Sequence, residues 1–340
     1  MSEVIKSFPI YSIVIPCYNS APWLPELIER ITKVMNFRGV EYEVLLVNDC
    51  SPNPDTWRVI TELSQRYHWV KGVDLQFNVG QFKALLAGLE LSKGHFVITM
   101  DDDLQHPPEE IPKLIDEMDR HSEMDAIIGA YKTKQHNTMR NWGRLLVNKI
   151  SERLYGKPKD FNSTAFRIMK RSLVQSLLEH KTMKPIMGAL ILKNTRRLKN
   201  VEVEHHPRIQ GKSGYGITQL IGSTFDNVID SSTAPLRFFG GTGIIISAFS
   251  ILIAIFYFFR WILGYSTSPG FTTLVLLVTF FGGMTLFGIG LIGEYLSRVV
   301  IEVSRSPRYV VRETVSKENV GKEKNEDLCE RKDVLERSEP

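Results

Sequence analysis

Between residues 11 and 130 the chain repeats one unit: a short, largely β-branched apolar run, a polar cluster, then a stretch with helical apolar spacing. Ser12-Ile13-Val14-Ile15-Pro16 leads into Cys17-Tyr18-Asn19-Ser20, and residues 43–47 lead into Asn48-Asp49-Cys50-Ser51. Residues 70–75 precede Asn78-Val79-Gly80-Gln81, and residues 95–100 run into Asp101-Asp102-Asp103-Leu104-Gln105-His106-Pro107-Pro108. Helical patterns fill the gaps at 22–37, 55–67, from Asn78 through Leu89, and from Pro108 to about His121, before a further strand at 125–130. In the first of these, Leu24, Leu27, Ile28 and Ile31 share one face. Alternation of this kind predicts an α/β domain with a mostly parallel central sheet and helices on both faces. Ligands of such sheets bind beyond the carboxyl ends of the strands. The polar clusters lie at those ends.

The Asp cluster carries the most chemistry. In an extended chain, as at this strand end, residues i and i+2 share a side. Asp101 and Asp103 then project together and Asp102 faces away, a bystander. Two co-facing carboxylates suit a hard divalent cation that also holds phosphates. On its own the cluster reads equally as an acidic turn capping the helix that Pro107-Pro108 begins. The convergence of Tyr18-Asn19, Asn48-Asp49, Asn78 and Asp101–Asp103 at strand ends favours the metal site. Other phosphate signatures fail. No G-x-G-x-x-G follows the first strand, and Gly211-Lys212-Ser213 lacks the P-loop's earlier glycine, since position 206 is histidine.

Two later stretches bring in the membrane. Residues 238–259 and 271–293 are runs of 22 and 23 residues without a charge. At about 1.5 Å per residue, each covers the ~30 Å hydrocarbon core. The linker Gly264-Tyr265-Ser266-Thr267-Ser268-Pro269-Gly270 is short, so a hairpin is expected. Arg237 precedes it and Arg298, Arg305, Arg308 and Arg312 follow, which puts both flanks in the cytoplasm. Gly282, Gly283, Gly288 and Gly290 permit close helix approach and hint at a homo-oligomer. The net charge of +4 argues against a nucleic-acid partner. Cys17, Cys50 and Cys329 are too scattered for a disulfide framework or a zinc site.

Between sheet and membrane the chain turns basic, with Lys132, Lys134, Arg140, Arg144, Lys149 and Arg153 on or near an amphipathic helix at 139–155. Such a helix suits an anionic lipid surface, though a solvated face reads the same way. A polar turn, Asp160-Phe161-Asn162-Ser163-Thr164, feeds a short strand, and a helix at 171–179 follows. Arg208-Ile209-Gln210-Gly211-Lys212-Ser213-Gly214-Tyr215 combines glycines with phosphate donors. His205 and His206 have no partner at zinc spacing.

Together, Ile13-Val14-Ile15-Pro16-Cys17-Tyr18-Asn19, Val47-Asn48-Asp49-Cys50-Ser51 and Asp101-Asp102-Asp103-Leu104-Gln105-His106-Pro107-Pro108-Glu109 resemble family-2 glycosyltransferases of the GT-A fold. Arg208-x-x-Gly211-x-Ser213-x-Tyr215, followed by two spans of which the second ends Gly290-Leu291-Ile292-Gly293-Glu294-Tyr295, narrows this to polyprenyl-phosphate glycosyltransferases. That group includes bactoprenol glucosyltransferases, undecaprenyl-phosphate aminoarabinose transferase and dolichyl-phosphate mannose synthases. The resemblance covers residues 10–312. It implies transfer of a sugar from a UDP- or GDP-linked donor to a polyprenyl phosphate at the cytoplasmic membrane face, with Mg²⁺ or Mn²⁺ as cofactor. It further implies that Pro16, Tyr18 and Asp49, with Asn19, Asn78 and Gly80, form the donor site. Asp101 would contact the nucleotide, Asp103 and Gln105 would hold the metal beside it, and Asp160 and Ser163 would face the sugar. Arg140, Arg208 and Ser213 would engage phosphates. The chain departs from the family's usual residues at Ser20, Asn48, Phe77 and Gly214.

The expected plan is an N-terminal extension at 1–9, a GT-A catalytic domain at 10–207, and an acceptor loop with a juxtamembrane helix at 208–236. A transmembrane hairpin at 237–297, a cytoplasmic basic segment at 298–312 and a disordered charged tail at 313–340 complete it. Two alternatives stay open: a processive polysaccharide synthase, or a membrane-anchored nucleotide-sugar-binding protein without turnover. The first is disfavoured because the Arg260-Trp261 pair has Tyr257 where a Gln is required.

Overall fold

The computed structural model describes residues 10–131, 162, 164–180, 187–204, 206, 270–303 and 307–317, with isolated positions between 242 and 263. In chain order the elements are β1 (Tyr11–Cys17), α1 (Leu24–Arg38), β2 (Tyr42–Asn48), α2 (Asp55–Arg66), β3 (Val70–Leu75), α3 (Gln81–Leu91) and β4 (Phe96–Thr99). A 3₁₀ turn (Pro108–Glu110), α4 (Ile111–Arg120), β5 (Ala126–Ala130), β6 (Arg167–Lys170), α5 (Arg171–Glu179), α6 (Met187–Asn194) and β7 (Leu198–Glu202) follow. The last two are α7 (Phe271–Val303) and β8 (Val311–Val315).

The strands form one sheet in the order β7-β5-β6-β4-β1-β2-β3-β8. Pairings β4–β1, β1–β2, β2–β3 and β5–β7 are parallel, while β6 and β8 run antiparallel to their neighbours. This is an α/β arrangement with a mostly parallel sheet, as the repeat predicts, and it is GT-A-like, as the family resemblance implies. β1 is buried along its whole length, which is why it reads as an unbroken apolar run rather than an alternating one. Ile13 and Ile15 point into a cluster with Leu27, Ile31, Leu46 and Ile115, whereas Val14 packs on the other face with Leu45, Leu86 and Val174.

The chain separates into two compact units: residues 1–143, 155–212 and 307–340 in the first, and 144–154 with 213–306 in the second. The first holds the sheet. In the second, α7 spans 33 residues, and its stretch Phe280–Ser297 is long and apolar enough to cross a membrane. The expected first span lies largely outside the described residues, as do the 139–155 helix and the loop at 208–215.

The far C-terminal plan needs correction. β8 crosses the boundary drawn between a basic segment and a disordered tail, and pairs antiparallel with β3 from Gly72↔Val315 to Leu75↔Val311. Charge-rich composition hid it, because an edge strand buries few of its side chains and so carries little apolar pattern.

Candidate active site

The carboxyl ends of β1, β2 and β4 and the start of α3 surround a cavity of about 380 Å³. Its lining includes the expected Pro16, Tyr18, Asp49, Asn78, Gly80, Asp101 and Asp103, together with Cys17, Gln81 and Asp102. Asp49 organises one wall. Its carboxylate accepts the backbone N–H of Val79 at 2.7 Å and of Gly80 at 2.9 Å, and Asn78 Nδ2 donates back to the Asp49 carbonyl at 3.1 Å. Gly80 has φ +88°, a conformation open to glycine, and this lets the loop fold over Asp49 as α3 begins. Burial raises the Asp49 carboxyl above its ordinary range, against the two N–H donors that favour its charged form.

The Asp cluster is not an extended strand. β4 stops at Thr99, and Leu104 takes φ +60°. The i, i+2 alternation therefore ends before the carboxylates begin, and Asp102 does not face away. It lines the cavity, accepts the Tyr18 N–H at 3.2 Å and pairs with the buried Ser20 hydroxyl. Burial raises its pKa, while the Ser20 and Tyr18 hydrogen bonds pull the other way. Ser20, one of the departures from the family pattern, thus ties the β1 turn to the Asp cluster.

Asp101 Oδ1 accepts Gln81 Nε2 at 2.6 Å, and Asp101 Oδ2 lies 3.8 Å from His106 Nδ1. Asp103 Oδ1 accepts the Gln105 N–H at 3.2 Å. Gln105 is not part of the lining; it supports Asp103 through its backbone, and its carbonyl accepts the His206 N–H at 3.0 Å. Asn19 likewise acts through its backbone, at φ +57°, donating to Ser51 Oγ at 3.1 Å. Arg140, Asp160, Ser163, Arg208 and Ser213 lie outside the described residues.

Arg167 was not foreseen as a site residue. It begins β6, is 3% exposed, and donates from Nε to Thr99 Oγ1 at 3.2 Å. Its buried Nη1 has no hydrogen-bond partner among the described residues. Burial lowers the guanidinium pKa to about 10, against the pull of Asp101, so it stays cationic at neutral pH. Beside it, His106 pairs with the Tyr131 hydroxyl, whose pKa burial and then the Asp101 and Asp103 charges push well up. A charged residue inside the apolar run Phe166-Arg167-Ile168-Met169 was the available signal.

The donor set fits a hard cation: Asp101 and Asp103, two carboxylate residues, line a common cavity. Among the described residues no three His, Cys, Asp or Glu side chains cluster as a complete cage.

The structure thus has an α/β sheet with an acidic cleft at its strand ends. The glycosyl transferase family 2 model matches residues 12–178. The undecaprenyl-phosphate 4-deoxy-4-formamido-L-arabinose transferase of Shewanella sediminis is 32% identical over 310 residues, covering 91% of this chain and 93% of that protein. The enzyme of the same name from Aeromonas hydrophila is 33% identical over 315 residues, covering 90% and 94%. The chain belongs to glycosyl transferase family 2. Among solved structures, glucosyl-3-phosphoglycerate synthase from Mycobacterium tuberculosis, in complex with Mn²⁺, uridine diphosphate and phosphoglyceric acid, matches at 15% identity and TM-score 0.49, over 66% of this chain and 78% of that one.

Proposed function

We propose that this glycosyltransferase moves a sugar, with inversion, from a UDP- or GDP-linked donor to a polyprenyl phosphate at the cytoplasmic face of a membrane. The observation that carries the reading is the acidic cavity built by Tyr18, Asp49, Asn78–Gly80 and Asp101–Asp103, in a chain similar over nine-tenths of its length to two lipid-phosphate transferases. Asp49 and Tyr18 hold the nucleoside. Asp101 and Asp103 would hold Mg²⁺ or Mn²⁺ against the diphosphate, where a bound cation neutralises charge on the leaving group. Arg167, buried and cationic, feels the Asp101 charge and adds a positive charge to that side of the cleft. The acceptor's phosphate oxygen is already anionic at neutral pH, so its attack on the anomeric carbon needs no strong base. Orientation by Arg140, Arg208 and Ser213 then supplies much of the catalysis.

Topology supports a membrane hairpin. β8 follows α7, yet it belongs to the same sheet as β1–β3. Both ends of the inserted unit at 213–306 thus return to one folded unit. A membrane-crossing insertion that begins and ends on one side crosses an even number of times. If α7 crosses once, residues 213–270 supply a second crossing, and the charge-free run at 238–259 has the required length.

Membranes containing the full chain, given radiolabelled nucleotide sugars and undecaprenyl phosphate, are expected to form a lipid-extractable labelled product. No such product from any UDP- or GDP-linked donor would overturn the activity. Asp49→Ala removes the acceptor of two backbone N–H groups as well as a cavity wall. It is expected to weaken UDP or GDP binding about tenfold or more in a calorimetric titration, and to destabilise the fold by about 2 kcal/mol.

A further inference from the structure

The strand that follows the apolar helix carries a cation into the sheet. Arg312, on β8, donates from Nη1 to Asp74 Oδ2 at 3.1 Å and from Nη2 to the Gln76 carbonyl at 2.9 Å. Asp74, next to last in β3, is 2% exposed, so its carboxylate depends on its partners for the solvation it has lost. On the other side Asn48 Nδ2 donates to Asp74 Oδ1 at 2.7 Å. Asn48 Oδ1 in turn accepts the Ser51 hydroxyl at 2.6 Å and the Ser51 N–H at 3.2 Å, and Ser51 Oγ receives the Asn19 N–H at 3.1 Å. The relay therefore runs from the sheet edge to the two turns that present Asp49 and Tyr18 to the cavity. Both turns hold a non-glycine residue in the left-handed region, Cys50 at φ +47° and Asn19 at φ +57°. Such conformations persist where surrounding contacts enforce them.

We propose that Arg312 is a positioning residue for the nucleotide: through Asp74, Asn48 and Ser51 it holds the turns at Tyr18-Asn19 and Asp49-Cys50 in their binding geometry. The segment after the membrane unit is then part of the donor site, although it comes 238 positions after Asp74 in the chain. Arg312 touches no reacting atom. Its loss loosens donor binding without changing the groups that act on the anomeric carbon. The proposal rests on the reading of the cavity as a nucleotide-sugar site.

The test uses the full chain in detergent or lipid, with UDP and GDP as binding probes and transfer kinetics on the active donor. Arg312→Ala is expected to raise the nucleotide Kd and the donor KM about tenfold, with kcat held within about twofold. Arg312→Lys keeps the charge but not both contacts, and is expected to lie between parent and Arg312→Ala. In an Asp74→Asn background, where no buried charge needs an answer, Arg312→Ala should change Kd less than about twofold further. Parental Kd and KM in Arg312→Ala overturn the proposal, as does an equal loss in both backgrounds or a fall confined to kcat. An Arg312→Ala chain that does not fold, beside an Arg312→Lys chain with parental affinity, assigns the residue to stability alone and also overturns it. Failure of the parent itself to bind UDP or GDP is a different result: it overturns the donor-site reading, and this inference with it.

Discussion

Asp103→Ala is expected to cut sugar transfer by about 10³-fold or more while the thermal midpoint stays near that of the parent chain. The two halves of this result have separate causes. Asp103 is partly exposed at the cavity, and its carboxylate accepts the Gln105 N–H at 3.2 Å, a hydrogen bond of ordinary worth. Removing it creates no void in either apolar cluster. Yet it lines the cavity beside Asp101, and under the proposed function these two carboxylates share a divalent cation with the donor's diphosphate. Asp103→Asn keeps the size and the backbone contact but loses the charge, and should be nearly as inactive. Mn²⁺ titration followed by electron paramagnetic resonance, with UDP or GDP present, reads the defect without turnover. Tight Mn²⁺ binding and wild-type transfer by Asp103→Ala would remove this residue from the site. Asp101→Asn is expected to differ, because it also removes the charge that faces His106 and acts on the buried Arg167, and so should lose stability as well as activity.

Gly94→Ala is expected to destabilise the protein by about 3 kcal/mol or more, at the upper end of overpacking effects, which corresponds to a fall of about 10 °C in the thermal midpoint. A Cβ on Gly94 would stand 2.6 Å from the Ser12 nitrogen, 2.7 Å from the Tyr11 carbonyl carbon and 2.8 Å from Ser12 Oγ. Two of those atoms are backbone of the central strand β1, so no rotamer change relieves the clash. The same glycine donates its N–H to Ser12 Oγ at 2.7 Å and accepts Arg171 Nε at 2.8 Å. Ser12 Oγ in turn donates to the buried Glu43 at 2.7 Å. Displacing the start of β4 shifts the strand that ends at the Asp cluster, so transfer should fall with stability. Gly282→Ala is the control. It sits in α7 with nothing among the described residues within 4 Å of its added Cβ, and alanine favours a helix. Equal midpoints for Gly94→Ala and the parent would refute the packing account.

Surface ion pairs should matter less. Arg30 clasps Glu109 through Nε–Oε1 at 2.9 Å and Nη2–Oε2 at 2.6 Å, tying α1 to the 3₁₀ turn after the Asp cluster. Glu109 is more than half exposed, so the pair sets the turn's direction more than it stabilises the fold.

Much of this protein is determined by features that are local along the chain. Strand and helix periods, the turn chemistry after each strand and the length of the charge-free runs announce an α/β sheet with polar strand ends and an apolar helix. These depend on residues a few positions apart, so the sequence displays them directly. That Tyr18, Asp49, Asn78, Asp101 and Asp103 would line one cavity was legible for that reason, since strand ends of a parallel sheet converge whatever the details between them, while Pro16 and Gly80 were added by the family resemblance. Tertiary structure decided what depends on contact between distant segments. Asp102 pairs with the Tyr18 N–H 84 positions away, Arg167 with Thr99 at 68, and Arg312 with Asp74 at 238. In each case a buried charge or turn is stabilised by a partner that no local period can reveal. Desolvation makes such a group demand a partner, and the fold alone brings that partner within reach.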